Sequence, residues 1–447
     1  MNAKAAWPLA ILLVTPFHPS LFSHDSCLSK AFYGNYQQGS TTLSVFRPDP
    51  ACVDTWAYQT IAPSASITEA TREVQQLVWL EEQAVDVSLK TQTRSFRNEF
   101  DAFLDAVSTH ELSPSDGIPA QEVMGDSHYQ AGYEVLYRTP QAALLSVSHE
   151  KARVIDTLVP RFWRSTLLPK EPIPFQSVAP SSLGHVEDVL ANLKFDPVIA
   201  SIVGNISVSQ MRNDIRFLTG EDEKSGILSR HSFSKGAFTA ASWLKARFED
   251  TGATCDLKRF LIGFAPNVVC RYPSIVNTTA TVLLSAHYDS RGSFGRTRAP
   301  GADDDGSGTV AILSIARTIL RKGVKFRSNV ELVAFAGEEQ GLLGSRAYAR
   351  ELRAANANLT VMVQADMLAF REPGEPRQLG LPDMIGSPVV TQLVANVSAI
   401  YSPELRVGFT PACCSDHQSF HEQGFPATQV FERAGPIIDP MYHNSGK

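Results

Sequence analysis

Two textures divide the chain. From about residue 191 onward, short apolar runs alternate with amphipathic stretches. Residues 280–286 (ATVLLSA), 330–336 and 360–365 are compact apolar runs, the pattern of strands buried on both faces. Residues 236–248, 307–320, 342–352 and 388–401 carry apolar positions at three- and four-residue spacings and predict helices, and 427–431 is a last strand. This alternation predicts an α/β fold, a mixed, largely parallel sheet sandwiched between helices. In such sheets ligands collect beyond the carboxyl ends of the strands.

The part before residue 191 reads differently. Residues 67–107 are mostly helical in pattern, and 133–168 suggest a strand followed by a helix. A proline-rich stretch at 169–174 and the polar residues Pro180, Ser181, Ser182 and Gly184 then read as a linker. Residues 24–190 are expected to form a smaller N-terminal pro-region or accessory domain, and residues 191–447 the catalytic domain. At the start, residues 5–17 (AAWPLAILLVTPF) have the length of a signal-peptide core, with cleavage expected near Ser23. That run is too short for a transmembrane helix, which needs about 20 apolar residues.

Composition narrows the class without changing it. With 447 residues, 43% hydrophobic and 19% charged, the chain is globular and too long for one ordinary core. A formal net charge of −6 excludes the electrostatic footprint of a nucleic-acid binder, and no basic helix addresses a membrane. The six cysteines suit an oxidising compartment. Cys27 with Cys52 and Cys255 with Cys270 are the expected local pairs, while adjacent Cys413 and Cys414 bond to each other or elsewhere. Sequons at Asn205, Asn277, Asn358 and Asn396 are candidate N-glycan sites. Together with the expected leader, these features predict a secreted, extracellular glycoprotein; a monomer is the expected state.

The chemistry gathers where the sheet rule demands it. Residues 280–286 run into His287, Tyr288 and Asp289; 330–336 run into Glu338 and Glu339; 360–365 run into Asp366. Between the first two lies Pro300-Gly301-Ala302-Asp303-Asp304-Asp305-Gly306-Ser307-Gly308, opening a helix, and near the end stands His443. Alone, the aspartate run reads as a helix N-terminus, where carboxylates favour the dipole. The neighbouring glutamates would be ordinary surface, and a lone histidine structural. Their joint placement after successive strands points to a metal site, and imidazole with carboxylate suits zinc. The cysteines have no C-x-x-C spacing and look less like ligands.

In this order the motifs AHYDS, PGADDDGSG, AGEEQGLLGS, QADM, CCSDHQSFH and the closing YH resemble those of the M28 zinc aminopeptidases, over roughly residues 195–447. The resemblance implies two zinc ions on a zinc exopeptidase fold. His287 and Asp366 would bind one ion, Glu339 and His443 the other, and Asp304 would bridge them. Glu338 would be the general base, Asp289 would orient His287, and a metal-bound hydroxide would be the nucleophile. The implied substrate is a peptide N-terminus with an apolar first residue. His417 and His421 read as structural or supporting residues. Relatives usually continue past the last histidine into a helix that this chain, ending at Lys447, lacks. Alternatives are a glutaminyl cyclase-like acyltransferase with one zinc, a carboxypeptidase, and a non-catalytic scaffold of the same fold.

Overall fold

The structure, a computed structural model, describes residues 10–443 apart from 23–25, 40, 58–64, 71–74, 92–99, 101–102, 105–106, 108–132, 153–154, 161, 293–297 and 413. Among the described residues, sixteen strands fall in chain order into an N-terminal layer and a layer within the expected catalytic domain, here the catalytic layer.

The N-terminal layer has two sheets of four strands each. In the first, β1 (Ala10–Pro16), β2 (Phe32–Gln38), β3 (Thr41–Phe46) and β4 (Ser66–Ala70) lie in the order β2-β3-β1-β4. In the second, β5 (Gln76–Glu82), β6 (Tyr133–Arg138), β7 (Ala142–Val147) and β8 (Trp163–Leu167) lie in the order β6-β7-β5-β8. All the pairings are antiparallel. Helical patterning across 67–107 is therefore replaced at β4 and β5 by strands. The reason lies in β5, where Leu77 and Trp79 enter one apolar cluster and Val78 and Leu80 the cluster on the opposite face. A strand buried on both faces reads as a continuous apolar run, which hides its period of two. Residues 149–152 and 155–158 do turn into short helices, but β6, β7 and β8 dominate 133–168.

The apolar run expected as a secretion leader supplies β1, an inner strand whose Leu12, Leu13 and Val14 are buried. A leader removed near Ser23 would take this strand with it. The disulfide Cys27–Cys52 ties the same region, and Cys255–Cys270 joins two paired strands of the catalytic layer. Cys414 is also disulfide-bonded, while Cys413 lies outside the described residues.

The stretch 180–184, expected as a linker, instead opens helix α1 (Pro180–Ala191), with Pro180 at the first helical position, where its missing N–H costs nothing. This helix packs on the catalytic layer. The chain therefore crosses between layers before Pro180.

The catalytic layer is a six-stranded mixed sheet in the order β16-β13-β11-β12-β10-β9. Its strands are β9 (Thr254–Lys258), β10 (Asn267–Tyr272), β11 (Thr281–His287), β12 (Asn329–Phe335), β13 (Leu359–Ala365) and β16 (Ala427–Val430). β11, β12, β13 and β16 run parallel, and β10 and β9 are antiparallel additions. A separate pair, β14 (Gln378–Pro382) and β15 (Arg406–Thr410), lies outside it. After α2 (Pro197–Val203) and α3 (Val208–Leu218), helices α4 (Lys235–Glu249) and α5 (Gly306–Lys322) bury Ala240, Leu244, Phe248, Val310, Leu313 and Ala316 against one face. Helices α6 (Leu343–Ala354) and α8 (His417–Glu422) supply Tyr348 and Phe420 to the other. Between them lies α7 (Pro388–Tyr401). Among the described residues, no helix is long and apolar enough to cross a membrane.

Candidate active site

Three adjacent parallel strands deliver their residues to one edge. β11 ends on His287; the chain leaving β12 turns through Gly337 into Glu338 and Glu339; β13 ends one residue before Asp366. The segment entering α5 brings Asp304, and the closing turn brings His443.

Asp304 joins the two histidines. Its Oδ1 lies 3.1 Å from His287 Nε2 and its Oδ2 lies 3.1 Å from His443 Nε2. His443 Nε2 is also 3.2 Å from Glu339 Oε2, and His287 Nε2 is 3.7 Å from Asp366 Oδ1. Glu338 Oε2 stands 4.0 Å from His287 Nε2. All the residues expected as ligands therefore converge, together with the expected base.

The aspartate run divides into three tasks. Asp303 Oδ1 accepts the Ala369 amide at 2.8 Å. Asp304 faces the imidazoles. Asp305 belongs to the frame: its Oδ1 accepts the Gly308 and Met367 amides at 2.9 and 3.2 Å, and its Oδ2 accepts the His287 amide at 3.0 Å. Although Asp305 also lies within ligand distance of His287 and Asp366, its oxygens are committed to these backbone donors. One carboxylate thereby ties the end of β11, the start of α5 and the turn after β13.

Asp289 performs a similar task below His287. Its carboxylate accepts Ser232 Oγ at 3.0 Å and the amides of Glu338 and Glu339 at 3.3 Å. The same carboxylate is 3.5 Å from His287 Nδ1, and the Asp289 carbonyl oxygen is 3.2 Å from that nitrogen. Thus Nε2 is left to face Asp304. His417 is fully buried, its Nε2 3.2 Å from the Ile385 carbonyl, and burial pushes its pKa down to about 3. Burial likewise takes His421 to about 4. Both are neutral structural imidazoles, as the sequence suggested.

The electrostatics call for cations. Among the described residues, Glu339 Oε1 and His443 Nδ1 are buried without a hydrogen-bond partner, and His443 Nε2 faces the Asp304 and Glu339 carboxylates. Carboxylates of Asp304, Glu338, Glu339 and Asp366 crowd two buried imidazoles. Burial raises Glu338 well above the usual carboxylate range, despite the nearby Arg164 guanidinium. Burial alone would lower His287, but Glu338, Asp289, Asp304 and Asp366 outweigh it and hold its pKa well up. Such unpaired buried charge is costly unless a counter-ion sits among it. Oxygen and imidazole donors gather in two groups, His287 with Asp305 and Asp366, and Asp304 with Glu339 and His443, and donors of this chemistry fit a divalent metal, zinc above others.

Sequence reasoning missed Arg164 completely. This residue of β8, in the N-terminal layer, donates from Nη2 to Glu338 Oε1 at 2.7 Å and to the Glu338 carbonyl at 2.8 Å. Its Nη1 reaches the Cys414 carbonyl at 3.2 Å. A single arginine in the run Trp163–Leu167 carries no signal of such a role. Tyr442 entered only as part of the closing YH, with no role given; its ring stacks on His443 with centroids 3.8 Å apart, and its hydroxyl donates to Gln83 Oε1 at 2.9 Å.

Known proteins share this arrangement of sequence. The profile of Peptidase family M28 matches residues 267–446. A probable leucine aminopeptidase of Arthroderma otae is 30% identical over 265 residues, which cover 56% of this chain and 68% of the relative. The chain belongs to peptidase family M28. It is accordingly a hydrolytic exopeptidase. A second relative, leucine aminopeptidase 1 of Grosmannia clavigera, is 29% identical over 278 residues, 57% of this chain and 65% of its own length. Among solved structures, the LapA aminopeptidase of Legionella pneumophila superposes with a TM-score of 0.57 at 17% identity, over 84% of this chain and 92% of that one. The two share the fold.

Proposed function

We propose that the chain is a secreted two-zinc aminopeptidase that removes apolar residues from peptide N-termini. The observation that carries this reading is Asp304, whose two oxygens each face a different imidazole at 3.1 Å. A carboxylate so placed could be shared between two ions. His287 and Asp366 would hold the first ion, Glu339 and His443 the second.

Zinc, when bound, lowers the pKa of water towards about 7 and polarises a carbonyl. The remaining work falls to the protein. The Glu338 carboxylate takes a proton from the attacking water and returns it to the leaving amine. Asp289 fixes the ring of His287 and the amides that begin the Glu338-Glu339 pair. Met367, Ala412, Phe431 and Ile437 form apolar surface beside Asp366 and His443, suited to an apolar first side chain. The leucine aminopeptidase names of the relatives favour the same preference.

The test combines metal content with turnover. The full chain should contain two zinc equivalents and hydrolyse leucine p-nitroanilide; chelation should abolish this and zinc restore it. Glu338→Gln should keep its zinc and lose turnover by about 100-fold or more. Full activity in that variant would remove Glu338 as the base. Ammonia release from a Gln-initiated peptide, without bond cleavage, would make the protein a cyclase.

A further inference from the structure

Residues 195–208 (FDPVIASIVGNISV) carry one charge, Asp196, whose Oδ1 accepts the Val198 amide at 2.7 Å where α2 begins. A helix as apolar as α2 is ordinarily buried. α2 instead buries none of its residues: Val198 is 64% exposed, and Ile199, Val203, Ile206 and Val208 stand in solvent near it, with Phe195 before them. The segment is nevertheless held in place. Phe195 stacks on Tyr401 of α7 with centroids 5.8 Å apart, and the Asp196 amide donates to the Tyr401 hydroxyl at 2.9 Å. Arg321 of α5 donates to Asn205 Oδ1 at 2.9 Å and to the Asn205 carbonyl at 2.5 Å.

That clamp joins the apolar segment to a basic one. Residues 306–328 hold Arg317, Arg321, Lys322, Lys325 and Arg327 and no acidic residue, in a chain whose net charge is −6. Arg317 pairs with the buried Asp214, whereas Arg321, Lys322, Lys325 and Arg327 are exposed, and so is Leu320 beside them. α2 packs on α5, so the two runs form one surface although Asn205 and Arg321 are 116 residues apart in the chain. Neither run alone is a basic amphipathic helix. α5 starts beside Asp304 and continues for 17 residues, about 25 Å at the usual rise. Its basic end therefore lies at the opposite end of that helix from the metal residues.

We propose that α2 and the basic end of α5 form a docking surface for an anionic lipid bilayer. Exposed valines and isoleucines alone would suit a second copy of the chain equally well. The bases decide against it, because two copies meeting on this surface would bring like charges together. Anionic headgroups instead meet the lysines and arginines, whose stems reach outward while the apolar side chains enter the acyl boundary. A soluble polyanion would use the bases and leave the apolar side chains in water. Docked this way, the enzyme keeps the end of α5 that carries Asp304 away from the lipid.

The test is cosedimentation of the full chain with vesicles of phosphatidylcholine, alone or mixed with phosphatidylserine. The chain should bind the mixed vesicles about 10-fold or more tightly than the neutral ones, and added salt should weaken that binding. Val198→Asp removes apolar surface, and Lys322→Glu with Lys325→Glu reverses charge; each should lose about 10-fold or more of the binding. Both changes are exposed and far from the metal residues, so leucine p-nitroanilide hydrolysis should match wild type in each. Equal binding to both vesicles, binding to neither, or folded variants that bind as wild type does would overturn the proposal. Self-association abolished by Val198→Asp, without vesicle binding, would assign the surface to a second copy. Retention on heparin that Val198→Asp leaves unchanged, again without vesicle binding, would assign it to a soluble polyanion. Asn205 is a candidate glycan site within this surface, and a glycan found there on the secreted chain would also overturn the proposal.

Discussion

Asp305 and Gly308 are fitted to each other. The Gly308 amide donates to Asp305 Oδ1 at 2.9 Å, and a Cβ at position 308 would lie 2.5 Å from that same oxygen and 2.4 Å from the Ala365 carbonyl. The glycine is thus required by the approach of a carboxylate and of β13, and α5 can begin where it does only because position 308 is bare.

Gly308→Ala should therefore loosen the frame that carries His287 and Met367. Overpacking of this kind costs about 1–3 kcal/mol. A fall in the urea midpoint together with weaker zinc uptake is expected; unchanged zinc affinity would separate Asp305 from the metal site.

Asp304→Asn keeps the size of the side chain and removes the charge between His287 and His443. Zinc content of the dialysed protein should fall, with loss of the second equivalent before the first, and activity should fall by about 100-fold or more. Retention of both equivalents would show that Glu339, His443, His287 and Asp366 suffice.

Asp289→Asn should act at a distance from the ions. It weakens acceptance from the Glu338 and Glu339 amides and the interaction with His287 Nδ1. Changes to such supporting groups typically cost about 10–100-fold in metal affinity. Competition with a chromophoric chelator measures this directly, and the far-ultraviolet spectrum should stay unchanged.

The two layers also meet through a titratable pair, His231 Nε2 and Asp156 Oδ2 at 2.6 Å, with Gln340 Nε2 donating to the same oxygen at 3.2 Å. Burial lowers His231, but Asp156 outweighs it and raises the pKa; Asp156, though burial opposes it, is lowered by His231. A raised histidine stabilises fully below its unfolded value, about 6.5, and loses that contribution as pH rises through the folded value. A lowered aspartate stabilises above its unfolded value, about 3.9, and loses it as pH falls through the folded value. The pair is therefore strongest between about pH 4 and 6.5. The urea midpoint of the wild type should decline from pH 6 to pH 8.5 more steeply than that of His231→Gln, and parallel curves would oppose this.

The catalytic layer was readable because its strands end in chemistry. The runs before His287, Glu338 and Asp366 became β11, β12 and β13 within a residue or two at each end, and the helix opened by the aspartate run became α5. The residues expected around the metals meet at one edge because parallel strands align their carboxyl ends. The N-terminal layer resisted reading for a different reason. β5 is apolar on both faces, and β1 falls inside the apolar run expected as a leader. Arg164 was invisible since its role depends on a pairing between layers 174 residues apart in the chain. Sequence records local periodicity and motif order; it does not record which side chain of one layer lands on another.

The position of β1 sets a condition on self-association. Ala10–Pro16 pairs on one side with β3 and on the other with β4. Without it, both neighbours would present rows of unsatisfied amide and carbonyl groups next to exposed apolar side chains. Such open edges are templates for intermolecular sheet growth. A chain trimmed before Pro16 should therefore precipitate or form oligomers at concentrations where the full chain stays monodisperse, and solubility, more than catalysis, would register the loss of its first strand.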